Sequence, residues 1–516
     1  MKLYNIVFKG LAAAAVVMTA SCSDSYLNTS PNQFLDEDAV SGVMQADPSQ
    51  VQAYVTGAQI NLYNGGDYAT SQDNMGWPSL QFATELYCED LASYYGLNIG
   101  HFDYQLDFRQ GNYRRPVGTW RQLYNVIDNA NTIITMLKPA EGESLSSAEA
   151  ECMIGEAYTM RAYCYFWLVN LFQQPLSVGA DQLGIPLKTE DVYRPERVPV
   201  GEVYTQILSD IDHGYKYLEG KGFHSGKSAM SEYAAAGIYA NILMFTGDYA
   251  NAALYAEKAI AGGTLNTTAE MLGGFNSLDM SEAIWGYRVN VETTSFYGSW
   301  MSIIDCYSAG YAGMGYTVMG ASDLVDRIAD NDVRKGWFGY NAAYNAVSGN
   351  DFSDLADVQG QDFTKYLPNK YRDVFVTSGG NADPFTSDII YMRTAEMYYV
   401  AAEAYYLNNQ PDKAAAKLNE IMTNRQPGYA APTSGQALYD EICWQKRIDM
   451  WAEGCRYLDA KRRNETINRA ASVNYSPDLA SMNAVTYSAR DYRMIYQIPT
   501  VEMENKPDIP ADDNNE

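Results

Sequence analysis

The sequence predicts a mostly α-helical protein in which tetratricopeptide-like helix pairs form a scaffold for a loop-rich irregular lobe. Apolar and small residues recur at helical spacing in two separate parts of the chain. Elsewhere Gly, Asn, Ser, Asp and Tyr dominate and no helical period persists. We therefore expect helix pairs at about 118–261 and 386–465, and loop-rich aromatic regions at about 62–118 and 262–385.

The first 21 residues have the pattern of an export signal. Lys2 and Lys9 precede and flank a short apolar run that ends at Met18, which is too short to span a bilayer. Small residues then stand directly before Cys22, as in bacterial lipoprotein signals, although Thr19 occupies a position that such signals usually fill with Leu. We expect lipidation at Cys22 and a single folded unit over 22–516; the alternative is an ordinary secretory signal with a chance cysteine.

Three long helices are predicted in the first helical part of the chain. They cover Trp120 to Leu137, residues 150–172, and Val200 to Leu218, where apolar residues repeat with the helical period. Proline or glycine follows each of them, as expected at the end of a helix.

Two segments carry the spacing of a tetratricopeptide repeat. Residues 231–261 predict two short helices on either side of Gly247 and Asp248, and residues 394–425 repeat the pattern around a turn at 408–411. Small residues at the repeating positions let paired helices approach closely. The alternative is a pair of unrelated alanine-rich hairpins.

Composition limits the classes of function. The net charge is −27, which disfavours binding to nucleic acid. Only three histidines are present, so we expect no histidine-rich metal site and predict no metal-binding residue; the acid content leaves calcium open without locating a site for it. We expect most of the cysteines to be buried free thiols. Cys443 and Cys455 are predicted to lie in one helix, too far apart to form a disulfide bond.

No motif predicts catalysis or a cofactor. The chain lacks G-x-S-x-G and H-E-x-x-H, and the segment 225–228 lacks the leading glycine of a phosphate-binding loop. Gly313 and Gly315 suggest a dinucleotide loop, but Val318 stands where its last glycine belongs. Glu89 and Asp90 are one imaginable glycosidase pair, yet exposed acidic residues are usually solvated surface.

Aromatic residues in the loop-rich regions are the best candidates for ligand binding. Flat rings can cover the C–H face of a sugar, while Asn, Asp or Arg side chains bind its hydroxyl groups. The alternative is that these rings fix long loops onto the helical body. The candidate ligand-binding residues are Trp77, Tyr94, Tyr95, Asn98, Phe102, Tyr104, Trp285, Arg288, Trp300, Tyr307 and Tyr311, with Phe296 and Tyr297 in the same second cluster.

Several segments together resemble one family. Cys22 to Leu27, with Pro31 and Phe34, is similar to its mature N-terminus, and the segment from Gly155 to Leu168 is similar to one of its helices. The remaining similar segments are Trp120 to Ile127, Arg393 to Glu396 with Ala402 to Ala404, Glu453 to Arg462, and Ile498 to Asn505. In order and in combination they resemble the SusD/RagB nutrient-binding lipoproteins of the Bacteroidetes, over nearly the whole chain.

The resemblance implies a function as well as a fold. Members of this family have four tetratricopeptide-like helix pairs and an irregular lobe, and they lie on the outer surface above a TonB-dependent outer-membrane barrel. They capture glycans, or in some branches peptides, and have no catalytic activity. No ligand residue transfers by motif, because the binding loops vary.

We therefore predict a lipid-anchored protein of the cell surface that binds glycan, has no cofactor, and works with a SusC-like outer-membrane transporter. The alternatives are a peptide-capturing, RagB-like protein and, less favoured, a glycosidase.

Overall fold

The computed structural model describes residues 51–65, 73–97, 100–139, 144–145, 147–296, 298–505 and 514–515. Eleven of the helices in these ranges have nine or more residues. In chain order α1 to α11 are Gln52–Asn64, Trp77–Leu86, Arg114–Leu137, Ala148–Phe172, Val200–Leu218, Glu232–Thr246, Tyr249–Ile260, Thr394–Leu407, Pro411–Arg425, Gly435–Asp449 and Cys455–Arg463. The predicted signal segment and Cys22 lie outside the described residues.

Short helices and strands make up the rest of the regular structure. The α-helical segments are Gly100–Tyr104, Thr268–Met271, Trp300–Ile304, Ser322–Asp326, Ala342–Ser348, Ser353–Ala356, Val374–Thr377 and Thr500–Asn505. The 3₁₀ turns are Leu176–Val178, Val333–Trp337, Thr364–Tyr366, Arg469–Ala471, Pro477–Ala480 and Tyr492–Met494. Strands β1 to β8 are Leu91–Ala92, Leu187–Lys188, Tyr193–Arg194, Ala283–Tyr287, Met319–Gly320, Ile389–Arg393, Thr466–Asn468 and Thr486–Ser488.

The long helices form one continuous stack. Helices α3 to α9 pack in sequence order, each on the helix before it and the helix after it. Helix α4 lies deepest: every residue from Cys152 to Phe172 is buried, which explains why it is hydrophobic on all sides. The predicted mostly α fold with a loop-rich lobe is therefore confirmed.

Local sequence explains how the predicted helix pairs begin and end. Gly247 ends α6 in the left-handed conformation, with a φ angle of 82°, which costs glycine little. The Asp248 side chain then accepts a hydrogen bond from the Asn251 N–H and caps α7. Pro411 occupies the first turn of α9, where its missing N–H costs no helical hydrogen bond. The helix predicted at Val200–Leu218 has those bounds in the structure.

Four antiparallel two-stranded sheets connect distant parts of the chain. Strand β1 pairs with β5, β2 with β3, β4 with β6, and β7 with β8. The β4–β6 pair brings the beginning and end of the second loop-rich region together, directly before α8. Helix α8 can therefore pack on α7, although a long insertion separates them in sequence.

The sequence did not predict two features of the fold. Helix α2 lies within the first region expected to be loops; all ten of its residues are buried, so it shows no polar face from which a period could be read. The single helix predicted over Cys443 and Cys455 is wrong, because α10 ends at Asp449 and α11 begins at Cys455. Between them Ala452 and Gly454 have positive φ angles, which a helix cannot contain. All six described cysteines are free thiols, and four of them are buried.

A buried group of charges joins the irregular lobe to the helices, and we call it the inner charge cluster. Its centre is Arg393, whose Nη1 lies 2.5 Å from Glu282 Oε2 and whose Nη2 lies 2.7 Å from Asp449 Oδ1. Arg425 bonds the same two carboxylates, at 2.6 and 2.8 Å. Glu453, in the turn between α10 and α11, accepts a hydrogen bond from Arg393 Nε at 2.8 Å.

Candidate functional site

The short β1–β5 sheet brings the two loop-rich regions together. Leu91 pairs with Gly320 and Ala92 with Met319, across more than two hundred residues of sequence. Tyr94 and Tyr95 directly follow the first strand, and the glycine-rich segment 308–318 directly precedes the second. Two aromatic regions that are separate in the sequence therefore contribute to one surface.

Tyr94 and Tyr95 form the most exposed aromatic pair of this surface. Their rings meet edge to face, with centroids 5.1 Å apart, and Tyr94 also packs on Phe363 at 5.4 Å. Tyr95 is 61% exposed, and its hydroxyl donates a hydrogen bond to the carbonyl oxygen of Asp354 at 3.0 Å. The bond holds the ring while leaving its face available to a ligand.

A small cavity of about 70 Å³ lies beside this pair, and we call it the aromatic cavity. Its walls combine aromatic rings, carboxylates, a hydroxyl and glycine backbone, which together match the apolar faces and hydroxyl groups of a sugar. The lining residues are Ser93, Tyr94, Tyr95, Gly313, Gly315, Thr317, Met319, Asp351, Phe352, Asp354 and Leu355.

The glycine-rich wall of the aromatic cavity is held by its own hydrogen bonds. The Thr317 hydroxyl donates to the Ala312 carbonyl at 2.7 Å, and the Asn350 side chain donates to the carbonyls of Cys306 and Ser308 at 2.8 and 3.0 Å. A Cβ atom on Gly313 would lie 1.9 Å from the Ser308 oxygen, so only glycine fits there. The wall is preorganised before any ligand arrives.

A buried aspartate supports the same segment from below. Asp305 accepts hydrogen bonds from the backbone N–H groups of Tyr307 at 2.8 Å and Asp373 at 2.7 Å. Burial raises the pKa of Asp305 to about 7, because desolvation disfavours the carboxylate. The side chain therefore anchors the backbone at the start of the glycine-rich wall.

Further exposed side chains surround the aromatic cavity. Met314 is 58% exposed and Tyr316 is 41% exposed, and both stand between lining residues of the glycine-rich wall. Tyr311 lies between Phe296 and Tyr316, with ring centroids 5.6 and 6.4 Å away. Sequence reasoning named Tyr311 but missed Met314, Tyr316 and both lining aspartates, for which glycine-rich flanks were the only signal.

Five of the predicted ligand residues are wrong as stacking surfaces, because their rings belong to the core. A ring without an accessible face cannot lie against a sugar. Tyr104 stacks on Tyr475 at 5.7 Å, and its hydroxyl bonds both backbone groups of Ser93. The five residues, each at most 4% exposed, are Trp77, Tyr104, Trp285, Trp300 and Tyr307.

The remaining predicted residues divide between other surfaces. Phe102 is 47% exposed and stacks on Phe108 at 5.8 Å. Arg288 forms ion pairs with Asp279 at 2.5 Å and Asp388 at 3.3 Å, so its charge is already matched. Asn98 and Tyr297 lie outside the described residues.

The imagined glycosidase pair is buried in ion pairs. Arg447 Nη2 lies 2.5 Å from Asp90 Oδ1 and 3.0 Å from Glu89 Oε1, and Arg456 bonds Glu89 at 2.6 Å. Two carboxylates held in this way cannot flank a glycosidic bond. The pair links helices α10 and α11 to the end of α2.

A second cavity, which we call the polar cavity, lies on the helical body. Its volume is about 330 Å³, and helix α3, the β2–β3 hairpin and the helix Thr500–Asn505 form its walls. Lys188 Nζ lies 2.7 Å from Asp128 Oδ1 in this wall. The lining includes charges of both signs: Trp120, Arg121, Tyr124, Asn125, Asp128, Pro186, Lys188, Tyr193 and Glu502.

The described residues offer neither a cluster of metal ligands nor a membrane-spanning helix. No group of three or more His, Cys, Asp or Glu side chains in these ranges is arranged to hold a metal ion. None of the helices described here combines the length and the apolar character needed to cross a bilayer.

Comparison with known proteins gives a consistent similarity. A family model described as starch-binding associating with outer membrane matches residues 26–244, and a model described as the SusD family matches residues 282–511. A SusD-like protein of Bacteroides ovatus is 20% identical over 478 residues, which cover 87% of this chain and 80% of the relative.

Solved structures of low sequence identity share the fold of this chain. A SusD-like carbohydrate binding protein from Bacteroides vulgatus superposes with a TM-score of 0.73 and 20% identity, covering 91% of this chain and 98% of the other. Surface glycan-binding protein A from Bacteroides uniformis gives a TM-score of 0.65 and 16% identity, with 91% and 99% of the two chains covered.

Proposed function

The chain belongs to the SusD family, and from this premise we propose that it is a lipid-anchored glycan-binding protein of the cell surface. It captures oligo- or polysaccharide and delivers it to a partner TonB-dependent outer-membrane transporter of the SusC-like kind. The observation that carries this proposal is the aromatic cavity, where two distant loop regions present rings, carboxylates and glycine backbone on one surface.

Binding follows from the chemistry of the cavity walls. The exposed face of Tyr95 covers the C–H face of a sugar ring, and Met314 and Tyr316 extend the apolar surface. Carboxylate oxygens of Asp351 and Asp354 accept hydrogen bonds from sugar hydroxyls, and such charge-assisted bonds are stronger than neutral ones. Because the walls are preorganised, little ordering entropy opposes binding.

The relatives support both the proposed class of ligand and the proposed location at the outer membrane. One solved relative is called a carbohydrate binding protein and another a surface glycan-binding protein. The description starch-binding associating with outer membrane supports a location at that membrane. Lipidation at Cys22 and the transporter are the finer parts of the proposal; mass spectrometry of the mature N-terminus and co-purification with a barrel protein test them.

Isothermal titration calorimetry with a panel of glycans tests the proposed ligand class. We expect at least one glycan to bind, and Tyr95→Ala to weaken that binding about 10-fold, which corresponds to about 1.4 kcal/mol. The substitution should leave thermal stability nearly unchanged, because the side chain is largely exposed. Tyr193→Ala is the matched control, since Tyr193 is 51% exposed and lines the polar cavity instead.

Peptide capture is the alternative function, and the polar cavity favours it. Opposite charges such as Asp128 and Lys188 in one cavity suit the amide groups and charged ends of a peptide better than a neutral sugar. Titration with a mixture of short peptides tests this function. Binding of peptides and of no glycan, lost in the charge-neutral double variant Asp128→Asn/Lys188→Met, would replace glycan capture by peptide capture.

A further inference from the structure

The walls of the aromatic cavity carry negative charge and no positive charge. Asp351 and Asp354 are both exposed, and neither Lys nor Arg is among the lining residues that the structure describes. No ion pair within the described part of the chain neutralises either carboxylate. A ligand in the cavity therefore meets two uncompensated negative charges.

The absence of positive charge extends well beyond the cavity lining. The sequence contains no Lys or Arg in the stretches 51–108, 289–326 and 336–364, which supply all of the lining residues. If the 36 Lys and Arg of the 516-residue chain were spread evenly, about nine of them would fall in stretches of this combined length. Acidic residues remain in all three stretches, so the segments that build the cavity contribute negative charge and no positive charge.

The Asp351 carboxylate is stabilised in its ionised form. The backbone N–H of Ser353 donates to Asp351 Oδ1 at 2.9 Å, and bonds from Ser353 lower the pKa of Asp351 below its usual value. Protonation of Asp351 therefore does not relieve its negative charge near neutral pH. The hydrogen bond from the Ser353 N–H to Asp351 Oδ1 also closes a local turn. Asn at position 351 would form the same turn, because its side chain keeps the accepting oxygen.

From the distribution of charge we infer that the aromatic site selects neutral glycans and rejects glycans that carry carboxylate or sulfate groups. This inference rests on the proposed glycan-binding function and adds the substrate class. Coulomb repulsion between surface charges at distances of several ångströms weakens binding by about 10-fold for each pair of wall carboxylates facing one ligand anion. The aromatic rings and the glycine backbone contribute equally to the binding of neutral and of anionic sugars. The wall carboxylates therefore determine the selectivity between the two.

The test uses two sets of probes on the full chain. Starch, galactan, xylan and galactomannan are the neutral probes, and polygalacturonate, alginate and chondroitin sulfate are the anionic probes. The neutral glycan that binds is then compared with its own carboxymethylated form, which keeps the backbone and adds negative charge. We expect binding to be confined to the neutral set, and carboxymethylation to weaken it about 10-fold in dilute salt and less in 0.5 M salt.

Charge variants separate the cavity from the general acidity of the protein. Asp351→Asn/Asp354→Asn should restore at least about 3-fold of the affinity for the carboxymethylated glycan, measured relative to the affinity of the same variant for the neutral glycan. Asp412→Asn/Asp440→Asn removes the same charge from exposed positions on α9 and α10 and should restore none.

Three outcomes overturn the inference. Tight binding of a polyuronate or a sulfated glycan at this site refutes the charge rule and leaves glycan capture standing. Equal recovery in both double variants assigns any discrimination to net charge and also refutes it. Binding of no glycan from either set removes the proposed function, and this inference falls with it.

Discussion

Replacing Arg393 by Met should destabilise the protein through the inner charge cluster. Arg393 is fully buried and bonds Glu282, Asp449 and Glu453 at 2.5 to 2.8 Å. The substitution keeps an apolar side chain of similar length but leaves three buried carboxylates with fewer positive charges. Arg425 still bonds two of them, and Lys370 still lies 2.5 Å from Glu453. Glu453 therefore loses the most hydrogen bonds but keeps one positive partner.

The magnitude follows from the cost of buried, uncompensated charge. Removing one partner of a buried ion pair costs about 3–5 kcal/mol. The unfolding entropy of about 2.1 cal/mol/K per residue amounts to about 1 kcal/mol/K for about 450 ordered residues. We therefore expect Arg393→Met to lower the melting temperature by about 4 °C.

Differential scanning calorimetry at pH 7 measures this loss. Adding Glu453→Gln to Arg393→Met should recover part of it, because the second substitution removes the buried carboxylate that lost the most hydrogen bonds. Arg194→Met is the control: Arg194 pairs with Glu196 on the surface, where such a pair contributes about 0–1 kcal/mol. A loss at Arg393 no larger than at Arg194, or no recovery in the double variant, would refute the reasoning.

Three further predictions concern single side chains. Burial lowers the pKa of Lys461 from 10.5 to about 7, so the unfolded chain binds more protons above pH 7. Wild-type stability should therefore rise by about 1 kcal/mol per pH unit from pH 7 to 9 relative to Lys461→Met, measured by urea unfolding at each pH. Gly313→Ala should abolish glycan binding in calorimetry while the melting temperature changes little, because the added Cβ meets the Ser308 oxygen and displaces only the cavity wall. Tyr104→Phe should cost about 1–2 kcal/mol in urea unfolding and weaken glycan binding, because the loop before Tyr94 loses its two bonds to Ser93.

Each of these predictions has a contradicting result. Parallel pH profiles for wild type and Lys461→Met would show that this lysine does not titrate near neutral pH. Unchanged binding in Gly313→Ala would show that the wall can move without loss. Unchanged binding in Tyr104→Phe, with the expected loss of stability, would separate the loop from the ligand.

Sequence reasoning predicted helices best where their ends carry a chemical signal. Val200–Leu218 ends before a glycine and has a clear apolar stripe, and its bounds were predicted correctly. Gly247 and Asp248 likewise mark the turn between α6 and α7. Helix α2 was missed, because a helix that is buried on all sides has no alternation to detect.

The site was harder to predict because its parts meet only through tertiary structure. Strands of two residues, such as β1 and β5, have no recognisable sequence pattern, and more than two hundred residues separate the two strands in the chain. Nothing local distinguishes Tyr95, which is exposed, from Tyr104, which is buried, since both occur in the same glycine- and tyrosine-rich stretch. The abundance of aromatic residues and the loop composition therefore predict which regions of the chain form the candidate site. Which aromatic rings in them are exposed depends on burial, which only the folded structure shows.

The insertion between α7 and α8 has a consequence for how such chains diverge. Helix α7 ends at Ile260 and its packing neighbour begins at Thr394, so the segment that supplies the glycine-rich wall and both lining aspartates is an insertion closed between two adjacent helices. The entropy of closing a loop grows only with the logarithm of its length, by about 0.6 kcal/mol for each doubling. Evolution can therefore lengthen, shorten or rebuild this segment at small thermodynamic cost while the helices keep their stacking order. Under the proposed function, a change of glycan would require changes in this segment and none in the helical scaffold.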